Sequence, residues 1–281
     1  MTEKATAFVP GHVTGFFSAH PADDPAAAGS RGAGLTLTDG VRVTVRPDAD
    51  AAVSLNGESL DVPAVDGVLD ALGASARVEA ESDLPLGTGF GVSGALALGT
   101  ALAANAVFET GRSENELIAL AHVADVDAGT GLGDVVAQAR GGVPIRLEPG
   151  APGRGELDAV PARSRVEYVA FGTLSTEAVL SGDLDALSAA GESALARLRA
   201  EPTLPRLLSA SRRFAREADL LTPRVEEAIE TVGEAGGEAA MAMLGETVFA
   251  LGSGLTDAGY EARACAVHPA GATLELDDPG G

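Results

Sequence analysis

A run of glycines leads into a long apolar segment in DLPLGTGFGVSGALALGTALAAN, residues 83–105. Four glycines stand between Gly87 and Gly94. Each glycine costs roughly 0.5–1 kcal/mol relative to alanine in regular structure, so the cluster needs a tight turn or a close approach to a ligand. Free N–H groups at a helix start bind phosphate, and Ser93 adds a hydroxyl for phosphate or Mg²⁺. A plain turn with Ser93 as an N-cap is the structural alternative.

The best-known nucleotide motifs do not account for this loop. Residues 89–94 match G-x-G-x-x-G literally, but the match alone is weak. The preceding ARVEAES alternates apolar and charged residues, whereas a buried parallel strand is almost continuously apolar. No Gly-Lys-Ser/Thr occurs in the sequence, and the H-R-D and D-F-G motifs of protein kinases are absent. The sequence therefore predicts either a phosphate loop of another kind or a plain turn.

Acidic residues dominate the charge of the chain. There are 41 Asp and Glu against 19 Lys and Arg, a net charge of −22, and Lys4 is the only lysine. A field this negative repels nucleic acid and anionic membranes, so we expect neither as a partner. A GC-rich genome would explain arginine in place of lysine but not the excess of acid. Asp and Glu dispersed along the chain resemble the composition of proteins from salt-in halophiles. We therefore expect a halophilic protein.

Length and composition indicate a globular protein of two domains. The chain has 281 residues, of which 46% are hydrophobic, enough to bury a sizeable core. Cys265 is the only cysteine, which excludes an internal disulfide framework and a zinc cluster. The N-terminal residues carry no apolar segment of a secretory signal, and no apolar run reaches the ~20 residues of a membrane span. We therefore expect a cytoplasmic protein.

The elements that must position the loop form an α+β pattern. Strands and clustered helices occur without strict βαβ alternation, and the polar residues 156–165 mark a boundary. We predict a hairpin over residues 32–48 that turns at Thr38-Asp39-Gly40, and a capping box of Ser113 and Glu116. The other predicted strands are 76–82, GVPIRL, VEYVAFG, AAMAML, TVFAL, ARACAV and ATLEL, and the predicted helices are 95–108, 114–125, DVVAQA, 175–187, 204–220 and 222–235.

PLGTGFGVSGA, residues 85–95, is similar to the P-x-x-x-G-L-G-S-S-A phosphate loop of the GHMP kinases, with Val92 in place of the first serine. VPGHVTGFFSAH, residues 9–20, and AMAMLGETVFAL, residues 240–251, fall where the first and last motifs of that superfamily are expected. The resemblance spans nearly the whole chain. It implies a ribosomal-protein-S5-like N-terminal domain over residues 1–160 and a ferredoxin-like C-terminal domain over residues 161–281, with ATP and substrate between them.

FVPGHVTGFF, GSRGAGLTL and GTGLGDVVAQARGG resemble one branch of that superfamily, the archaeal pantoate kinases. Galactose and mevalonate kinases end the first motif in Gly-Glu-His, where this chain has Ser18-Ala19-His20. The resemblance implies ATP-dependent phosphorylation of the 4-hydroxyl of (R)-pantoate to (R)-4-phosphopantoate in coenzyme A biosynthesis. Another GHMP kinase, acting on shikimate, homoserine or a mevalonate derivative, and a catalytically silent nucleotide-binding regulator remain alternatives. The sequence leaves a homodimer open.

The resemblance also implies roles for single residues around ATP and Mg²⁺. Asp134 lies where GHMP kinases carry a conserved-motif aspartate, and a carboxylate there can accept or orient the proton of a substrate hydroxyl. Capping the following helix is its structural alternative. Ser93 and Asp125 are the expected Mg²⁺ ligands, with Val123 at one position where relatives carry Glu, and a solvated helix-end carboxylate is the alternative for Asp125. The expected ATP-binding residues are Pro85, Gly87, Gly89, Gly91, Ser93, Gly94 and Gly245, with Thr247 nearby.

The substrate carboxylate implied by the resemblance needs a cation in an otherwise negative protein. Arg31 lies in GSRGAG without an acidic neighbour in the sequence, and a guanidinium binds a carboxylate with two hydrogen bonds. Arg140 in QARGG is a second candidate. We expect His12 and His20 to line the substrate pocket without transferring a proton. The structural alternatives are a surface position for Arg31 and Arg140 and a purely structural role for His12 and His20.

Overall fold

The computed structural model describes residues 3–173, 184–243 and 245–275. From the N-terminus the elements are β1 (Ala5–His20), β2 (Gly29–Pro47), β3 (Ala52–Leu55), β4 (Glu58–Ser59), α1 (Pro63–Leu72), β5 (Ala76–Ser82), α2 (Val92–Phe108), α3 (Glu114–Asp127), α4 (Asp134–Arg140), β6 (Val143–Glu148) and β7 (Glu156–Val160). There follow β8 (Arg165–Thr173), α5 (Leu184–Ala200), α6 (Leu204–Glu217), α7 (Pro223–Glu234), β9 (Ala239–Ala242), β10 (Gly245–Leu251), α8 (Gly254–Asp257), β11 (Arg263–Ala266) and β12 (Thr273–Glu275).

A long antiparallel hairpin of β1 and β2 forms the backbone of the larger sheet. The strand order is β12-β1-β2-β5-β3-β4, and β6 joins β2 and pairs with β7. The predicted hairpin within residues 32–48 is wrong, because that segment is part of the single strand β2. Pro10 pairs with Gly40 and Gly11 with Leu37, so Thr38 and Asp39 form a bulge. The residues predicted to form a turn form a bulge instead, because β1 is long enough to pair with β2 on both sides of them.

Helix α2 is the centre of the core beneath this sheet. Its residues are small and apolar around the whole circumference, and most are buried. A methyl group at Gly99 would lie 2.5 Å from Cγ2 of Val43 in β2, so this glycine lets the helix approach the sheet closely. The helix begins three residues before the predicted start. The predicted helix α3 is confirmed with its capping box, in which Ser113 and Glu116 exchange hydrogen bonds.

A second antiparallel sheet has the order β11-β8-β10-β9, and α7 packs against β9 and β10. Its strands confirm VEYVAFG, AAMAML, TVFAL and ARACAV. The predicted helix 175–187 falls largely outside the described residues, and α5 continues to Ala200. Helix α1 escaped the sequence analysis, and the polar segment 156–165 contains β7. The α+β class is confirmed. None of the described helices is long and apolar enough to cross a bilayer.

Candidate active site

The glycine loop runs from β5 into the N-terminus of α2. Gly87, Gly89 and Gly91 all have positive φ, between 65° and 89°, which L side chains rarely adopt. Gly91 is the N-cap of α2, and no side chain caps this helix end. The first N–H groups of α2 therefore have no side-chain cap among the described residues and are available to bind an anion. The phosphate-loop interpretation is thus supported by geometry, and the plain N-cap alternative for Ser93 is not what the structure contains.

Residues of the second sheet hold the loop from behind. The Thr247 hydroxyl donates to the carbonyl of Thr88 at 2.8 Å. A methyl group at Gly245 would lie 2.0 Å from the same carbonyl oxygen, and one at Gly89 would lie 2.7 Å from the carbonyl oxygen of Met243. Gly245 and Thr247 therefore contact the loop backbone itself. Pro85 is exposed at the outer side of the loop, and its carbonyl accepts the Thr88 hydroxyl.

Asp134 is the first residue of α4 and lies against the loop. A methyl group at Gly91 would stand 3.0 Å from Oδ1 of Asp134, so the glycine allows this carboxylate to reach the loop. The same oxygen is 2.7 Å from Nδ1 of His12, whose side chain is fully buried. His12 therefore lies behind Asp134 and away from the surface, where it orients the carboxylate. The Asp134 side chain is 21% exposed, which leaves its other oxygen open to a ligand.

The environment of Asp134 keeps its carboxylate ionised. Burial alone would raise its pKa, but the hydrogen bond from His12 and the charge of Arg146 lower it below its ordinary value. Burial lowers the pKa of His12, against the opposing effect of Asp134. His12 is therefore a neutral imidazole that donates Nδ1–H to Asp134, and its Nε2 has no partner among the described residues.

Asp125, Ser93 and Thr130 form a cluster at the mouth of the loop. The Ser93 hydroxyl lies 3.5 Å from Oδ1 of Asp125 and 3.1 Å from the Thr130 hydroxyl, which donates to the same carboxylate oxygen at 2.6 Å. Burial raises the pKa of Asp125 to about 7, and the nearby charge of Asp134 adds to the rise. None of the groups that shift this pKa is a cation. Val92, in the position of the family's first loop serine, is buried.

This cluster fits Mg²⁺. A buried carboxylate without a cationic partner is costly, and a bound divalent cation would supply the missing charge. Mg²⁺ needs only one or two carboxylates when phosphate oxygens and water complete its shell. The described residues contain no group of three or more His, Cys, Asp or Glu that could hold a metal without such help. Ser93 and Asp125, paired in the prediction, are thus brought together at the loop.

Arg146 is a buried cation next to Asp134 that the sequence analysis missed. It lies on β6 and is 2% exposed, and its Nε and Nη1 atoms have no hydrogen-bond partner within the described ranges. Burial lowers its pKa, while the charge of Asp134 opposes that change. A methyl group at Gly133 would lie 2.8 Å from Nε of Arg146 and from Oγ of Ser30. A buried guanidinium with free N–H groups is an expected partner for a carboxylate.

Arg31 and His20 belong to another cluster. Nη1 of Arg31 lies 2.9 Å from Oε2 of Glu192 in α5, and its Nε donates to the carbonyl of Leu147. Nε2 of His20 is 3.3 Å from Oε1 of Glu192, which also accepts the Ser18 hydroxyl. Arg31 thus has a carboxylate partner 161 positions along the chain that no inspection of GSRGAG reveals. Its guanidinium is engaged, whereas Nε and Nη1 of Arg146 have no partner among the described residues.

Arg140 lies at the far end of α4 from Asp134. It lines a separate cavity of about 590 Å³ together with Arg163 and Pro269. Since α4 rises about 1.5 Å per residue, the Cα atoms of Asp134 and Arg140 are roughly 9 Å apart along its axis. The structure therefore does not bring Arg140 to the loop. His122, by contrast, is buried and donates Nε2–H to the carbonyl of Ala28. Burial lowers the pKa of His122, and the charge of Arg146 acts in the same direction.

Comparison with known proteins agrees with this arrangement. Residues 60–142, which include the loop, Asp125 and Asp134, match the family described as GHMP kinases N terminal domain. The chain is 36% identical to the pantoate kinase of Thermococcus kodakarensis, with 87% of this chain and 86% of the relative covered. It is 32% identical to the pantoate kinase of Methanospirillum hungatei, with 89% and 88% covered. Its fold is similar to a solved phosphotransferase related to the CoA biosynthesis pathway, with a TM-score of 0.88, 30% identity, and 97% of this chain and 98% of that chain covered.

Proposed function

The chain belongs to the pantoate kinase family of GHMP kinases, and we propose that its site transfers the γ-phosphoryl group of ATP to the 4-hydroxyl of pantoate. The observation that carries this proposal is the contact of Asp134 with Gly91, which joins an ionised carboxylate to the phosphate loop. A hydroxyl held at Asp134 is thereby next to a bound phosphate. Such an arrangement serves phosphoryl transfer, which depends on positioning and electrostatics.

We assign the phosphates of ATP to the N-terminus of α2. The loop backbone at Gly87, Gly89 and Gly91 approaches them, and the helix N–H groups from Val92 onward donate to their oxygens. A cavity of about 790 Å³ adjoins the start of the loop at Ser82 and Asp83. Its volume suits a nucleoside, and the exposed carboxylate of Glu81 in its lining can accept a hydrogen bond from a ribose hydroxyl. The adenosine end of ATP is therefore assigned to this cavity.

Ser93 and Asp125 would hold Mg²⁺ beside the β- and γ-phosphates. When bound, the ion neutralises the charge on the phosphate oxygens. The chain's part is to keep both oxygen ligands in place: the Thr130 hydroxyl donates to Asp125, and Ser93 contacts both groups. Because the pKa of Asp125 is about 7, a cation at this site also keeps that carboxylate ionised at neutral pH.

The substrate end of the site is assigned to Arg146. Pantoate carries a carboxylate and a hydroxyl, and the site offers a free guanidinium and an ionised carboxylate that are close enough to shift each other's pKa. We therefore assign the carboxylate of pantoate to Arg146 and its 4-hydroxyl to Asp134. This assignment replaces Arg31 and Arg140, of which the first is ion-paired and the second lies at the other end of α4.

The chemical step then follows from these positions. The hydroxyl oxygen attacks the γ-phosphorus in line with the bridging oxygen, whose bond to phosphorus breaks, and ADP leaves with the electron pair. Asp134 accepts the hydroxyl proton on the oxygen that His12 does not occupy. His12 stays neutral throughout and holds the carboxylate in orientation through its Nδ1–H.

ADP release measured against a panel of acceptors tests the proposal. The panel contains pantoate, shikimate, homoserine and mevalonate, each with ATP and Mg²⁺ in molar KCl. We expect turnover with pantoate at least 100-fold above the other three. Turnover of a different acceptor would assign the site to another GHMP substrate, and nucleotide binding with no turnover of any acceptor would identify a regulator.

A further inference from the structure

Gln138 is a buried polar side chain for which the proposed step has no use. It lies in α4, four residues after Asp134, and has no exposed surface. Its Nε2 donates to the carbonyl oxygen of Gly91 at 2.9 Å, and its Oε1 has no partner among the described residues. Because a carbonyl only accepts hydrogen bonds, this contact also fixes which end of the amide carries the NH₂ group. The one hydrogen bond that the Gln138 side chain makes to the described residues is thus to the last loop residue before α2.

The Gly91 carbonyl controls the direction of the next N–H group. The peptide bond between Gly91 and Val92 is planar and trans, so its C=O and N–H point in opposite directions. The carbonyl already accepts the N–H of Ala95 at 3.0 Å, the first hydrogen bond of α2. A second donor, from Gln138, holds the carbonyl inward against α4, and consequently the Val92 N–H points outward to the phosphate site.

The two loop glycines next to α4 fit this arrangement. A methyl group at Gly91 would lie 3.1 Å from Nε2 of Gln138, and one at Gly94 would lie 3.2 Å from its Oε1 and 3.3 Å from Cβ of Asp134. Gly94 has no positive φ, so no backbone requirement explains its lack of a side chain. The close approach of α4 does explain it. Gly91 and Gly94 therefore serve the contact with α4 as well as the nucleotide.

We propose that Gln138 is a positioning residue that fixes the phosphate loop relative to Asp134. Residues four apart lie on one face of a helix, so one turn of α4 carries both the carboxylate and the amide. The amide aims the loop N–H groups, and the carboxylate lies at the same loop residue. Gln138 thereby sets the distance between the bound phosphate and the group that accepts the proton. This inference rests on the proposed function of the site.

Gln138→Met tests it, because methionine has a similar length and no hydrogen-bond donor. We expect the affinity for ADP, measured by calorimetry without pantoate, to fall about 10-fold, since the lost bond is to a buried carbonyl. With pantoate and ATP, kcat should also fall about 10-fold, while the KM for pantoate changes less than 2-fold. The matched control is Asn105→Ala at the other end of α2, where the Asn105 amide accepts hydrogen bonds from Thr110 and Arg112.

Gly94→Ala provides a second route if the methionine variant does not fold. Alanine is favourable in a helix, but its methyl group would meet Oε1 of Gln138 and Cβ of Asp134, so we expect kcat to fall as in Gln138→Met. Unchanged ADP affinity and kcat in the folded variants would overturn the inference, as would equal kinetic losses in Asn105→Ala. If wild-type protein binds ADP but turns over no pantoate, the proposed function fails by itself, while the ADP affinities still test the role of Gln138.

Discussion

Nδ1 of His12 lies 2.7 Å from Oδ1 of Asp134, although 122 positions separate the two residues in the chain. The histidine belongs to β1 and the aspartate to the first turn of α4. Both elements pack into the core, and the histidine is fully buried. The carboxylate is therefore held in one orientation by a strand that also contacts the phosphate loop, since the His12 N–H donates to the carbonyl of Phe90 at 3.0 Å.

His12→Phe should move the acid limb of the kcat/KM profile to higher pH. Asp134 loses a hydrogen-bond donor that lowers its pKa, and burial, which raises it, remains. Activity, which needs the ionised carboxylate, is then lost at a higher pH as acid is added. His12→Asn is the matched control, because its amide NH₂ can replace Nδ1–H and should restore most of the shift. Identical acid limbs in wild type and His12→Phe would exclude this role for the histidine.

Asp125→Asn should raise the melting temperature at pH 8 without Mg²⁺. The pKa of Asp125 is about 7 in the folded protein and near 3.8 in the unfolded chain. The folded protein then binds more protons between these values, so wild-type stability falls as pH rises through this window. The asparagine variant lacks that dependence, and the difference should disappear below about pH 4.

The exposed Asp127→Asn on the same helix is the control, and we expect no comparable gain from it. Adding Mg²⁺ should stabilise wild type at pH 8 and leave Asp125→Asn unchanged, because the variant lacks the carboxylate. A variant that is less stable than wild type at pH 8, or one that Mg²⁺ stabilises equally, would contradict the metal site.

Arg146→Gln should raise the KM for pantoate by roughly 10- to 100-fold, because it removes a hydrogen-bonded charge pair that contributes about 1.5–3 kcal/mol to binding. ATP affinity should change little, since the phosphates are assigned to the backbone N–H groups of the loop and of α2. The comparison variant Arg140→Gln removes the same charge from the other end of α4. Equal increases in KM for the two variants would mean that general charge, and not the buried guanidinium, attracts the substrate.

Molar KCl should raise both the melting temperature and the activity. At a net charge of −22 the compact state repels itself, and the Debye length falls from about 10 Å at 0.1 M salt to about 3 Å at 1 M. Screening is largely complete near 1 M, so a further rise would come from cation binding to carboxylates or from stronger apolar burial. Equal stability and activity at ~0.1 M and 2 M KCl would contradict a salt-adapted protein.

The sequence is most informative where the signal is local. The capping box at Ser113, the helix α4 and the glycine loop all depend on neighbouring residues, and their positions could be predicted. The turn signal at Thr38 and Asp39 misleads, because only the length of the partner strand decides between a turn and a bulge. A local pattern carries no information about a partner strand that pairs from elsewhere in the chain.

The contacts that complete the site are long-range, and this is why the sequence does not reveal them. In the sequence, Arg146 is a single charged residue within an apolar predicted strand. Only the fold shows that it is buried beside Asp134. Arg31 has no acidic neighbour in the sequence, but in the fold α5 places Glu192 beside it. Gln138 has no motif of its own, yet it is bonded to the loop. The sequence does place Gln138 one helical turn after Asp134, and that spacing could have indicated that the two residues share a helix face.

The central claim is that Asp134 acts on a hydroxyl next to the phosphate loop, and a single-turnover experiment tests it most directly. Enzyme in excess over radiolabelled ATP is mixed with pantoate, and the formation of phosphopantoate is followed by rapid quench. We predict that Asp134→Asn binds ATP as wild type does but forms product at least 100-fold more slowly, whereas Asp127→Asn reacts at the wild-type rate. Product formation by Asp134→Asn at a rate near that of wild type would contradict the account and reduce Asp134 to a residue of the helix start.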